Sequence, residues 1–139
     1  MIRRRLSEAI EGREHLSLIV IRIDNFSIIH DARGYMSAER IIRGFVRMMQ
    51  RLIRERKGSV IGRWSDDEFM ILAGCTGAAA VVMANEIRGK SKDVVVSAGA
   101  ADIADGGYMS VSEFVDAAYS ALNEAIEAGG NTTVLARNS

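Results

Sequence analysis

The sequence predicts one α/β domain of the α+β kind: a mixed central sheet that contains an antiparallel hairpin and is covered by helices. Two patterns predict it. Short apolar runs rich in β-branched residues alternate with segments of helical period along nearly the whole chain. One pair of runs is separated only by the polar stretch "SDDE", which reads as a hairpin turn. A length of 139 residues, 48% of them apolar, suits a single packed core.

Taken in order, residues 2–13 read as a charged helix stopped by Gly12. We expect residues 1–13 to be a linker helix from a preceding domain and residues 14–139 to be the domain. "LSLIVIRI" (16–23) is almost wholly apolar, as a strand buried on both faces requires, and Arg22 is its one charge. From Ser37, a candidate N-cap, to about Arg56, the residues Ile41, Ile42, Phe45, Met49, Leu52 and Ile53 share one helical face. "SVIGRW" and "FMILAG" are the two hairpin strands, and "GAAAVVMANEIR" (77–88) is an alanine-rich helix. "DVVVSAGAA" (93–101) is a second buried strand. "SVSEFVDAAYSALNEAIEAGG" (110–130) opens on a serine cap and closes on glycines, and "TTVLA" (132–136) is a last short strand. This order matches a ferredoxin-like or palm arrangement. It would bring the end of the first strand beside the hairpin turn.

Charge and composition exclude several classes. Eighteen basic and eighteen acidic residues cancel, so no long-range field draws the chain to nucleic acid or, by itself, to an anionic membrane. No apolar run reaches the length of about 20 residues that a spanning helix needs, and the start lacks a signal core. The single cysteine, Cys75, forbids an internal disulfide and a multi-cysteine zinc site. It reads as a small core or near-core residue. His15 and His30 have no zinc-ligand spacing. A cytoplasmic location is the expectation.

The residues that carry chemistry lie at the predicted turn. Acids at a hairpin, facing an acid at the end of a neighbouring strand, can cage a divalent cation shared with substrate phosphates. Asp67 and Glu68 supply the hairpin side. Asp24 is the only acid on the strand side, and alternation places it on the same face as Arg22. Read alone, "SDDE" is more readily a solvated polar turn than a metal site, and Ser65 is a poor residue for a two-residue hairpin loop.

"IVIRIDNFSIIHDARGYMSAERII", "RWSDDEF", "VVVSAGAA" and "AAYSALNEAIEAGGN" together resemble the GGDEF, or diguanylate cyclase, family in order and spacing, from about Leu16 to Ala136. The resemblance implies the palm-like fold and a reaction joining two GTP molecules into cyclic di-GMP, with Mg²⁺ or Mn²⁺ as cofactor if the site is active and none otherwise. It places the family's first metal ligand, an Asp, on Arg22, with Asp24 and Asp67 the remaining candidate metal ligands. It makes Asp67 and Glu68 the catalytic pair, in vestigial form. It puts the guanine readers on His30 and Glu39, and the room-making glycines beside the nucleotide on Ser65 and Asp66. Phosphate-binding positions fall on Ser27, Ile126 and Gly130, and the product-inhibition motif survives as Arg56, with Ser59 replacing its Asp.

These losses predict a degenerate, regulatory member of the family that serves dimerisation, contact with a partner domain, or sensing of GTP or cyclic di-GMP. The alternatives are an active cyclase with a metal site rebuilt on Asp24, Asp67 and Glu68, or a palm-type nucleotidyltransferase with another product. Arg22 pairs with Asp67 or Glu68, or else meets a ligand phosphate directly. Finally, Arg40, Arg43, Arg47, Arg51 and Arg54 line one stripe of the first long helix. They are either a solvated face or a docking stripe for an acidic helix or a polyanion.

Overall fold

The structure, a computed structural model, describes residues 15–56, 58–104, 108 and 110–137. The expected helix at 2–13 lies outside them. Among the described residues, strands β1 (Ser17–Ile23), β2 (Val60–Arg63), β3 (Glu68–Ala73), β4 (Val96–Asp102) and β5 (Thr133–Leu135) form one sheet in the order β2-β3-β1-β4-β5. Strand β1 is antiparallel to both β3 and β4, whereas β4 and β5 run parallel. The sheet is therefore mixed, as the alternating pattern predicts. Helices α1 (Phe26–Arg54), α2 (Gly77–Lys90) and α3 (Val111–Glu127) cover it.

Alternation along β1 divides the core into two. Ile19, Ile21 and Ile23 pack with Ile42, Phe45 and Met49 of α1 and with Met83 and Ile87 of α2. Leu18 and Val20 pack on the other face with Phe114, Ala118 and Leu122 of α3. A strand that must be apolar on both faces explains why "LSLIVIRI" shows no polar alternation. Arg22 breaks the pattern only where the strand leaves the core, and it is exposed.

Two elements differ from expectation. The first long helix starts at Phe26, well before Ser37, but is broken at Gly34, where φ is +77° and ψ is 164°. That backbone region suits glycine alone. Its N-cap, Asn25, makes no side-chain cap hydrogen bond; Asn25 instead bridges the carbonyl of Asp93 and the N–H of Val95. Ser37 lies inside the helix rather than at its start. The hairpin turn differs too. Neither Ser65 nor Asp66 adopts a positive φ, because the loop spans four residues between strands. Arg63 folds back to donate to the carbonyls of Ser65 (3.1 Å) and Asp66 (2.8 Å). The other two helices start where the sequence suggests, with Thr76 Oγ1 accepting from Ala79 N–H and Ser110 Oγ accepting from Glu113 N–H.

One contact sets the seat of α3 on the sheet. A Cβ at Gly99 of β4 would stand 2.2 Å from the backbone nitrogen of Leu122 and 2.3 Å from the carbonyl oxygen of Ala118. Both neighbours are helix backbone and cannot yield as a side chain would. Gly99→Ala is therefore expected to push α3 off the sheet and cost about 1–3 kcal/mol or more, seen as a fall of about 5 °C or more in Tm. Gly44→Ala, where an added Cβ meets nothing, is the control and should hold or raise Tm. An unchanged Tm for Gly99→Ala would refute the close-packing account.

Candidate functional site

The C-terminal end of β1 meets the hairpin turn. The register sets Arg22 opposite Glu68, and the N–H of Ile23 donates to the carbonyl of Asp67 at 2.8 Å. Arg22 and Asp24 are both exposed on the face that carries α3. The structure thus brings Arg22, Asp24, Asp67 and Glu68 to one end of the sheet, where Arg22 pairs with Asp67 while Asp24 is engaged elsewhere.

Asp67 has both carboxylate oxygens occupied. Oδ2 lies 3.6 Å from Nε of Arg22, and Oδ1 accepts from Ser65 Oγ at 3.0 Å. Of the two partners that the sequence allows for Arg22, the ion pair forms with Asp67. Asp24 faces elsewhere. Its Oδ2 accepts from Ser97 Oγ at 2.8 Å and from the N–H of Asn131 at 3.0 Å. Those bonds hold the left-handed turn after α3, where Gly129, Gly130 and Asn131 have φ of +115°, +77° and +49°. At Gly130 a Cβ would come within 3.0 Å of the same Asp24 oxygen, so the turn needs glycine there for space as well as for φ. No group of three or more His, Cys, Asp or Glu among the described residues is placed to hold a metal ion.

His30 and Glu39 do come together, across the break at Gly34. His30 Nε2 lies 3.9 Å from Glu39 Oε1, and the imidazole packs against the rings of Phe26 (centroids 4.5 Å apart) and Tyr35 (5.7 Å). His30 Nε2 is buried and has no hydrogen-bond partner. At 3.9 Å it is too far from Glu39 for a hydrogen bond and close enough for an ion pair when protonated. Tyr35 itself is 67% exposed, so the aromatic group is open on one side. Ile126, at a position the resemblance gives to a lysine, packs instead against the α3-side core.

At the far end of α1, Arg56 donates from Nη2 to Glu86 Oε1 at 2.7 Å. It lines a cavity of about 440 Å³ with Gln50, Ile53, Arg54, Gly58, Ser59 and Ile61. Sequence reasoning isolates Arg56 but misses Glu86, which no local spacing connects to it. It also misses Tyr119 of α3. The Tyr119 hydroxyl is buried without a hydrogen-bond partner, and burial, followed by the negative charge of Glu68, raises its phenol above the ordinary value of 10.0.

Because that folded-state value is raised, Tyr119 contributes stability that is complete below the unfolded value and is lost as pH rises through the folded one. Tyr119→Phe removes both this alkaline loss and an unpartnered hydroxyl. It should leave stability unchanged or raise it by about 1 kcal/mol in urea unfolding at neutral pH. A loss of more than about 1 kcal/mol would mean the hydroxyl has a partner. Arg22→Ala breaks only a half-exposed pair and should cost less than about 1 kcal/mol.

With this geometry in place, comparisons locate the chain among known proteins. A family model described as "Diguanylate cyclase, GGDEF domain" matches residues 1–132. No curated protein matches the sequence. The fold is similar to that of the active GGEEF domain of a diguanylate cyclase from Vibrio cholerae, with TM-score 0.86 and 24% identity, covering 99% of this chain and 92% of that one. It is similar to the GGDEF domain of DgcB from Caulobacter crescentus in complex with c-di-GMP, with TM-score 0.83 and 23% identity over 96% and 85% of the two chains. A microbial GGDEF domain described for its interaction with cyclic di-GMP matches with TM-score 0.84 and 25% identity over 96% and 85%. The palm-like sheet, the hairpin at the end of its central strand and the near-complete family match agree: the chain belongs to the GGDEF family, the diguanylate cyclase-type domains of cyclic di-GMP signalling.

Proposed function

We propose that this chain is a degenerate GGDEF domain, a cytoplasmic regulatory module that does not itself join two GTP molecules. The observation that carries the reading is the Arg22–Asp67 ion pair. An arginine stays charged at any physiological pH. Here it stands where the family resemblance puts an anionic metal ligand, and its charge is directed at Asp67, one of the two acids of the catalytic pair. A divalent cation fits this donor set badly. Asp67 is already paired, Asp24 holds the turn at Asn131, and the Arg22 guanidinium would repel the ion. Unit charges about 4 Å apart interact by about 4 kcal/mol at an effective dielectric near 20. The ion's second charge doubles that, before screening by the solvent that reaches the 48%-exposed Arg22 side chain. Losing cations at the positions of Ser27, Ile126 and Gly130 weakens a triphosphate site further, since phosphoryl transfer depends on charge stabilisation and positioning.

In this reading the domain acts through dimerisation, through contact with a partner domain, or by sensing GTP or cyclic di-GMP. Residues 1–13 then form a linker helix to the rest of a signalling chain. Relatives of the same fold are described in complex with c-di-GMP and, for SiaD from Pseudomonas aeruginosa, with its activator SiaC. Among the described residues no helix is long and apolar enough to cross a membrane. Arg56, tied to Glu86, favours loss of product binding at the old inhibitory motif.

A second reading is an active nucleotidyltransferase with a rearranged site, either a cyclase or a palm enzyme making another product. The approach of His30 to Glu39 beside two aromatic rings favours it, because a base could still be read there.

One experiment separates the two. The purified protein is incubated with each nucleoside triphosphate and either Mg²⁺ or Mn²⁺, and the mixture is analysed by mass spectrometry. No cyclic dinucleotide is expected, and any such product sinks the first reading. A GTP-binding isotherm without product supports sensing. Arg22→Asp should gain Mn²⁺ affinity by calorimetry by about tenfold or more, the factor that 1.4 kcal/mol of relieved repulsion gives; no gain would mean that Arg22 is not the block.

A further inference from the structure

The acidic end of the sheet leaves the basic face of α1 unexplained. Residues 40–54 contain five arginines and no acid. All five are exposed, and among the described residues none of Arg40, Arg43, Arg47, Arg51 and Arg54 has an ion-pair partner. Arg51 Nε reaches only the carbonyl of Arg47 in its own helix. At about 100° per residue the five side chains cluster opposite the face that buries Ile42, Phe45, Met49 and Leu52. A chain with equal numbers of basic and acidic residues has therefore concentrated uncompensated positive charge in a row about 21 Å long.

A cavity of about 330 Å³ opens along one flank of that row. Arg40, Ile41, Gly44, Phe45 and Met48 form one bank, and Lys90 to Val94, between α2 and β4, form the other. The floor is apolar. Arg40, Lys90 and Lys92 bring cations to both banks, while Asp93 is paired with Arg33 at 3.8 Å. Gly44 makes the opening, since nothing lies within 4 Å of where its Cβ would be.

We propose that this face docks an acidic amphipathic helix of a partner protein, which seats one large apolar side chain in the cavity and sets acids against the arginines. Three features favour a helix. The arginines recur at spacings of 3, 4, 4 and 3, an average of 3.5, which is the repeat of a seam between two helices. Nucleic-acid-binding domains are strongly basic overall, whereas this sequence carries no net charge. The adjoining apolar cavity takes a side-chain anchor in the manner of helix-in-groove recognition. The proposal stands independently of whether the domain is catalytically active.

The test uses the 139-residue protein and a labelled synthetic helix of about 20 residues. The peptide carries Glu at alternating 3- and 4-residue spacing, one flanking Leu and Ala elsewhere, and binding is read by fluorescence anisotropy. The peptide should bind at about 50 mM salt and weaken about tenfold or more at about 500 mM. Arg43→Glu, Arg47→Glu and Arg51→Glu combined should weaken it about tenfold or more, and a Lys-for-Glu peptide should then bind the triple variant better than the original protein. Gly44→Leu, whose Cβ meets nothing within 4 Å and whose side chain is placed at the cavity mouth, should weaken the Leu-bearing peptide and leave a Leu→Ser peptide unaffected. Circular-dichroism melts confirm that each variant is folded. No binding at low salt, or equal affinity for the triple variant, overturns the docking face. An unchanged affinity of Gly44→Leu overturns the anchored helix. Tighter binding of a DNA duplex or of phosphatidylserine vesicles overturns the choice of a protein partner.

Discussion

Strand β1 is hydrogen-bonded along both edges and buried on both faces, and the site residues at the end of the sheet take their positions from that constraint. Ile19, Val20 and Ile21 are wholly inaccessible, with β3 on one side and β4 on the other. A one-residue slip would turn the isoleucines that pack on α1 and α2 toward α3 and reverse both cores at once. The register is therefore fixed by many buried contacts rather than by the hairpin. Arg22 must then oppose Glu68, and Ile23 must bond to Asp67. The apolar strand places charged residues at its end without depending on them for its own stability.

Under the proposed degenerate reading, that separation lets the site lose its chemistry and keep its shape. Two of the acids at the sheet end are satisfied from within the chain. Asp67 takes Arg22 and Ser65, while Asp24 takes Ser97 and the backbone of Asn131. A carboxylate cage with no cation would repel itself, whereas an arginine in its wall removes the need for one. The exposed ion pair adds little stability of its own. Its effect is on what the site can hold, because a fixed positive charge at the mouth opposes a dication far more than a neutral residue would.

The parts of this structure that were legible in the sequence are those in which period and burial agree. β1, β4 and α3 follow directly from the apolar runs and from the Ser110 cap. The start of α1 was hidden because Asn25 spends its side chain on the strand β4 approach rather than on a cap, and because Gly34 interrupts the period. The turn was misjudged because Arg63, outside the four residues, supplies the bonds that hold it. Family motifs pointed to His30 and Glu39, and the fold brings them together. Asp24–Asn131 and Arg56–Glu86 were not legible, since each joins residues far apart in sequence through geometry that no spacing encodes.

Helix α1 ties the two ends of this account together. Glu39, which faces His30, is the residue immediately before Arg40, the first of the outward arginines, and Gly34 lies five residues upstream, where the helix is broken. From Tyr35 to Arg54 the helix is continuous, so Glu39 and the five arginines belong to one element. The His30–Glu39 gap of 3.9 Å lies between the forms of a hydrogen bond and no contact at all. A shift of less than 1 Å decides between them, which is within the range of helix displacements that accompany partner binding. The arginine row and the His30–Glu39 approach thus share one helix. In the proposed regulatory reading, α1 is the most direct link between a partner on the arginine face and the His30–Glu39 pair.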